Sequence, residues 1–307
     1  MSTKTAGAIV VGVTGRGRES AALRFAADLA GRERVAVVLV HAFDTGPPAA
    51  PPGVLITYAE AADVARSVVE DVADELLQLT GGTVTPRTLV MGGRPGRVLV
   101  DVGREARMVV VQHRRDHGLA RVFVGSTACG AAAHAVAPVV SVNPEWQPGD
   151  TGEVVVGVHE GAGPRSVLEA GFAWAASVGA TLRIVHAWRF DAAYDDVVTP
   201  RAAQQWRDEE ERVIDSAAAD LRERHPEVPV VIEVRHHRPA EVLVDDSQNA
   251  SMVVVGRHAS HPWAAERLGS IARTCLRAAK SPVMVVPVDR AADQEWASAA
   301  SEGSPQT

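Results

Sequence analysis

Aromatic side chains make up only 4% of the 307-residue chain, so its cores have to be built mostly from Val, Ala and Leu. There are two cysteines, Cys129 and Cys275, too few for a disulfide framework or a cysteine-rich zinc site. No apolar run reaches the roughly 18 residues of a membrane helix. The apolar start, Ala8–Val13, is too short for a signal peptide and lacks its layout. A soluble cytoplasmic protein without a membrane partner is therefore expected. A basic surplus is missing too: 31 Lys and Arg stand against 38 Asp and Glu, a formal net charge of -7. That argues against nucleic acid as a partner. The chain has no Gly-x-Ser-x-Gly elbow, no Walker A loop and no base poised beside a nucleophile, so an enzyme is disfavoured. What the chain does have is the balance of a globular protein, 46% hydrophobic and 22% charged, and the length of about two domains.

It also repeats itself. Ile9-Val10-Val11-Gly12-Val13 returns 145 residues on as Val154-Val155-Val156-Gly157-Val158. Leu39-Val40-His41-Ala42-Phe43 returns at the same offset as Ile184-Val185-His186-Ala187-Trp188. Arg94-Pro95-Gly96-Arg97-Val98-Leu99-Val100-Asp101 returns at an offset of 144 as Arg238-Pro239-Ala240-Glu241-Val242-Leu243-Val244-Asp245. Met108–Val111, Gly125-Ser126 and Pro138–Val140 recur at that offset as Met252–Val255, Gly269-Ser270 and Pro282–Met284. Six ordered matches at a nearly constant offset make each repeat a whole domain rather than a solenoid unit.

Each repeat reads β-α-β-α-β-α-β-α-β. Short Val-rich runs, typical of strands buried on both faces, fall near 8–14, 34–41, 83–90, 107–112 and 138–142, and again near 153–159, 180–187, 228–235, 251–256 and 282–286. Helical spacing marks Ser20–Ala30, Ala59–Leu79, Ala202–Arg224 and Ile271–Lys280. The fold class is therefore α/β: two tandem five-stranded parallel sheets, Rossmann-like, with strand order 3-2-1-4-5. The expected boundaries are a first domain at 1–142, a linker at 143–152, a second domain at 153–288 and a disordered tail at 289–307. Asp44–Gly53, with four prolines, reads as a surface loop.

In such a sheet, ligands bind beyond the carboxyl ends of the strands where the order reverses, here between strands 1 and 4. After strand 4 the second half reads Gly256-Arg257-His258-Ala259, then nine residues, then Gly269-Ser270. The first half reads Gln112-His113-Arg114-Arg115, nine residues, then Gly125-Ser126-Thr127. A glycine at a strand end lets backbone approach a ligand, and a helix start offers free N–H groups to an anion.

These motifs resemble a tandem universal stress protein of the kind common in actinobacteria. The family pattern is a first strand ending Val-Gly-Val-Asp, a His at the end of strand 2, the nucleotide motif Gly-x2-Gly-x9-Gly-Ser/Thr, and a Pro-Val-x-Val-Val last strand. The resemblance covers about residues 7–142 and 153–288. It implies ATP as the ligand in those members that bind nucleotide. The family's Asp is replaced by Thr14 in the first half and His159 in the second. The adenine-lining position after the strand-2 His falls on Ala42 and Ala187. The first motif glycine is Gln112 or Gly256, and the second is Arg115 or Ala259. The terminal pair survives as Gly125 with Ser126 and Thr127, and as Gly269 with Ser270. The second half is thus the preferred nucleotide site, because side chains at Gln112 and Arg115 would fill space in the first. The resemblance also implies pairing of the two domains through their last strands, and it leaves a homodimer open.

Plainer readings stand beside these. Ser126 and Ser270 are residues favoured as helix caps. His41 and His186 read as packed polar residues at strand ends. His236, His237, His258 and His261 lack the spacing of a metal site, and no metal is expected. Arg104, Arg107, Arg114, Arg115 and Arg121 read as a solvated face. Cys129 and Cys275 are not aligned by the repeat and read as two separate helix-buried thiols. The leading expectation is a stress-response protein that binds an adenine nucleotide as a sensor or regulator. The rivals are an interaction protein without nucleotide and, less favoured, a slow ATP hydrolase.

Overall fold

The computed structural model describes residues 5–43, 57–113, 126–149, 152–159, 165–189, 199–257 and 268–288. The chain divides into two compact units, Met1–Asp150 and Thr151–Thr307. The first unit runs β1 (Ile9–Val13), α1 (Ser20–Glu33), β2 (Val37–Phe43), α2 (Tyr58–Leu79), β3 (Arg87–Gly92), α3 (Pro95–Val102), β4 (Met108–Gln112), α4 (Ser126–His134) and β5 (Val139–Val142). Its strands pair in parallel in the order β3-β2-β1-β4-β5. The second unit runs β6 (Glu153–Val158), α5 (Arg165–Val178), β7 (Leu182–Trp188), α6 (Pro200–Arg224), β8 (Val230–His236), α7 (Pro239–Asp246), β9 (Ala250–Gly256), α8 (Ser270–Ala278) and β10 (Val283–Val286). Its order, β8-β7-β6-β9-β10, is the same and also parallel. The chain thus carries two tandem copies of the expected α/β fold.

The Val-rich runs form the strands because both sheet faces are covered. Val10, Val11, Val109 and Val110 are fully buried in the first unit, as are Val154–Val156, Val253 and Val254 in the second. Each fully buried Val, Leu or Ile side chain contributes on the order of 1.5–3 kcal/mol. Helices cover the faces, and in both units one contact fixes where they sit. A Cβ added at Gly12 would lie 2.9 Å from Leu99 Cδ1, and one added at Gly157 would lie 2.7 Å from Leu243 Cδ1. The repeated glycine of the first strand is therefore the socket for a repeated leucine of the third helix.

Several element ends differ from the sequence expectation. Strand 2 begins at Val37 rather than 34, because α1 continues to Glu33 and is ended by Arg34 in the left-handed region, φ 56. Strand 3 begins at Arg87 rather than 83, because a turn with positive φ at Gly81 and Gly82 follows α2. That helix opens one residue early on a reciprocal cap: the Glu60 N–H donates to Thr57 Oγ1 at 3.2 Å, and the Thr57 N–H donates to Glu60 Oε2 at 2.8 Å. The Thr57 bonds hold the Glu60 carboxyl below its ordinary range. Residues 143–149 pack with the first unit, where the Trp146 ring meets Phe25 edge-on at 5.3 Å. The expected surface loop 44–53 and tail 289–307 lie outside the described residues.

Candidate functional site

The order reverses between β1 and β4 in the first unit and between β6 and β9 in the second. Thr14 directly follows β1, and the register sets it level with Ala42 of β2. His159 directly follows β6, level with Ala187 on one side and with Arg257 on the other. Sequence-predicted positions are therefore brought together in each half. Ala187 is buried and Ala42 half-buried.

The strand-2 histidine has the same job twice. His41 Nδ1 lies 2.9 Å from the Val13 carbonyl oxygen, and His186 Nδ1 lies 3.3 Å from that of Val158. A ring N–H donating to that oxygen braces the carboxyl end of the first strand, just before Thr14 or His159. This agrees with the reading of these histidines as packed strand-end residues.

The two halves part company at the end of strand 4. Gln112 ends β4, and its side chain reaches across to the start of α1, the helix that follows β1. Its Oε1 accepts from the Ala21 N–H at 3.0 Å and the Ala22 N–H at 3.2 Å. Its Nε2 donates to the Arg18 carbonyl at 2.6 Å. The β1–α1 loop is further tied by carboxylates. Glu19 accepts from Thr14 Oγ1 at 2.6 Å and from the Gly15 N–H at 3.3 Å. Glu75 of α2 accepts from the Gly17 N–H at 2.6 Å and from Ser20 Oγ at 2.5 Å. Both carboxylates are buried. The sequence singled out Gln112 but not Glu19 or Glu75, which offer no motif; only the fold brings them to one loop.

In the second half the corresponding strand end is Gly256, which has no side chain. It pairs with Val286 of β10, and the Arg257 N–H continues the ladder to the Val286 carbonyl at 2.8 Å. Burial pushes the Arg257 guanidinium below its ordinary value. At Glu75's place stands Asp220, which accepts from Arg165 and, at 2.9 Å, from Arg224. The Arg165 bond, with Arg224 behind it, holds this carboxyl below its ordinary range.

The serine of the repeated Gly-Ser pair is not a cap in the second half. Gly269 is the N-cap, with φ -58 and ψ 157, and it has no side chain to bond the free N–H groups of the first turn. Ser270 is the first helical residue and is exposed. Ser126 likewise opens α4, with half-buried Thr127 next to it. Gly125, Arg114, Arg115, Arg121, His258, Ala259 and His261 lie outside the described residues.

Other predicted residues are dispersed. Arg107 pairs with Glu33 at 2.7 Å and Arg104 with Asp101 at 3.3 Å. His237 lies 3.6 Å from Glu241, and His236 stacks on Trp188 with ring centroids 4.2 Å apart. Trp188 also stacks on Trp206, at 4.4 Å. Among the described residues no group of three His, Cys, Asp or Glu side chains could hold a metal ion. No described helix is long and apolar enough to cross a membrane. Cys275 is buried, and burial pushes its thiol up to about 12, which keeps it in the unreactive protonated form.

Comparison with known proteins bears on both halves. The family model described as "Universal stress protein family" matches residues 6–143 and again 151–287. A universal stress protein of Mycolicibacterium smegmatis is 29% identical over 287 residues, covering 91% of this chain and 96% of that one. A universal stress protein of Mycobacterium tuberculosis is 28% identical over 295 residues, covering 90% and 96%. Among solved structures, a universal stress protein from Archaeoglobus fulgidus matches with a TM-score of 0.69 at 14% identity, over 94% of this chain and 98% of that one. This last likeness concerns the fold.

Proposed function

Because the chain belongs to the universal stress protein family, we propose that it is a cytoplasmic stress-response protein that binds ATP through its second half, as a sensor or regulator without turnover. One observation carries the reading: the second half keeps a bare Gly256 at the switch point and a helix start whose N-cap is Gly269, a residue with no side chain to bond the first N–H groups. Parallel α/β geometry sets such helix starts at the carboxyl end of the sheet. There the free N–H groups and the dipole favour a phosphate. In this reading Gly269 and Ser270 hold the phosphates, and Gly256 and Ala259 let backbone approach the nucleotide. His159 and Ala187 line the adenine, with His159 in the place of the family's Asp. Thr14, Ala42, Gly125, Ser126 and Thr127 are the weaker counterparts in the first half. Pairing of the halves through their last strands, and a homodimer, belong to the same proposal and are carried by the resemblance alone.

Calorimetry with ATP on the intact chain and on Gly269→Val tests the site. Heat from the intact chain that is lost in the variant is expected. A Cβ branch at the cap would crowd the phosphate seat. Equal heat from both proteins would refute the site. No heat from either would refute nucleotide binding and favour an interaction protein. Release of phosphate from ATP would refute a role without turnover.

A further inference from the structure

We infer that Gln112 closes the first half's crevice from within, so that the chain takes one nucleotide and takes it in the second half. The closure is a matter of geometry; only the choice of nucleotide as ligand rests on the function proposed above. In a parallel α/β sheet the ligand crevice opens between the strands where the order reverses. Gln112 stands at the carboxyl end of one of those strands, β4, and bonds to the start of the helix that follows the other, β1. Its side chain therefore bridges the switch point.

The bonds occupy N–H groups that an anion at the start of α1 would use. The first N–H groups of a helix have no partner within the helix and form its natural anion seat. Gln112 Oε1 takes both the Ala21 and the Ala22 N–H, at 3.0 and 3.2 Å. The same amide donates through Nε2 to the Arg18 carbonyl at 2.6 Å. An amide suits the position because it has an acceptor and a donor at one end; a carboxylate would set a second oxygen against the Arg18 carbonyl. The nearby loop N–H groups of Gly15 and Gly17 are taken by the Glu19 and Glu75 carboxylates. Two buried negative charges beside the crevice oppose an anionic ligand.

The side chains that make this closure differ in the second half. Gly256 replaces Gln112 and Pro164 replaces Glu19. Asp220 replaces Glu75, and its charge is met by Arg165 and Arg224.

Two readouts on the full chain test the inference: ATP stoichiometry by calorimetry, and backbone amide hydrogen exchange. One ATP per chain is expected for the wild type and none for Gly269→Val. In Gln112→Ala, exchange at Ala21 and Ala22 should rise about tenfold, the worth of a lost hydrogen bond or two, while the Val38–Val40 amides keep their protection. Gln112→Asn, one methylene too short to reach, should do the same. It serves as the variant of record if Gln112→Ala also exposes Val38–Val40. Two ATP per chain in the wild type would overturn the inference and leave nucleotide binding standing. No ATP, with exchange rising as stated, would overturn nucleotide binding and leave the closure standing. Unchanged exchange at Ala21 and Ala22 would overturn the closure whatever the stoichiometry.

Discussion

The two halves place different chemistry on the same skeleton. One group of five positions shows it away from the crevice. In the first half these are Ala8, Val38, Leu89, Met91 and Val102; in the second they are Glu153, Arg183, Glu233, Arg235 and Asp246. The second set is wired together: Arg183 meets Glu153 at 2.9 Å and Glu233 at 3.4 Å, and Arg235 meets Asp246 at 3.0 Å and Glu233 at 2.5 Å. The same sheet face thus tolerates either apolar packing or a closed set of ion pairs, because pairing offsets most of the desolvation of each charge. At the crevice the difference runs the other way: the first half fills its switch point with polar side chains, and the second leaves glycine there. The skeleton is kept by residues the halves share, and each half's chemistry is set by those they do not.

The largest expected effect is one the halves should share. Leu99→Ala and Leu243→Ala each empty a buried socket facing Gly12 or Gly157. Each should lower stability by about 2–5 kcal/mol, as read by denaturant unfolding of the full chain. A loss in one half only would break the claim of a common skeleton.

Next comes the ionic cluster. Arg183→Ala leaves three carboxylates facing one remaining arginine and should cost about 1–3 kcal/mol, less than a fully buried pair because the cluster is partly exposed. The joint replacement Glu153→Ala, Arg183→Val, Glu233→Leu, Arg235→Met and Asp246→Val installs the first-half set. It should be near neutral or stabilising. A joint cost larger than that of Arg183→Ala alone would show that the two packings are not interchangeable.

A smaller contrast lies in the first helix of each unit. Gly171 of α5 stands where the first half has Ala26. A Cβ at Gly171 would lie 2.3 Å from Val156 Cγ2, on a stiff β-branched side chain. Gly171→Ala should therefore destabilise by about 1–2 kcal/mol despite the better helix propensity of alanine. Ala26→Gly should cost about 1 kcal/mol by propensity alone.

The smallest effect concerns Asp220, half-exposed between Arg165 and Arg224. Its carboxyl is held below the ordinary range, so its contribution is present above about pH 4, the unfolded value, and is lost as the pH falls through the lowered one. Asp220→Asn should cost under about 1 kcal/mol at neutral pH. The difference from wild type should shrink on acidification; a difference that grows would contradict the ion pair.

Most of the skeleton was legible in the sequence. Buried parallel strands leave long Val runs, and the duplication shows each run twice. Element ends were less legible: Arg34 in the left-handed region and the Gly81-Gly82 turn shift strands 2 and 3 by three or four residues. At the site, the departures at Gln112 and Gly256 could be read from the motif. What Gln112 does could not, because its partners Ala21 and Ala22 lie 91 and 90 residues away in sequence. Glu19, Glu75 and the five-residue ionic cluster carry no spacing signal, since charged side chains at such intervals ordinarily read as solvated surface. The last helix of the second half starts at Ser270, one residue before the expected Ile271, because Gly269 takes the cap with backbone alone.

In the proposed function the second half, not the first, takes the nucleotide. Backbone hydrogen exchange of the full chain with and without saturating ATP tests it most directly. Added protection is expected at Gly256, Gly269 and Ser270, with none at Thr14, Ala21 or Ala22. Added protection at Thr14, Ala21 and Ala22, with none at Gly269 and Ser270, would contradict it.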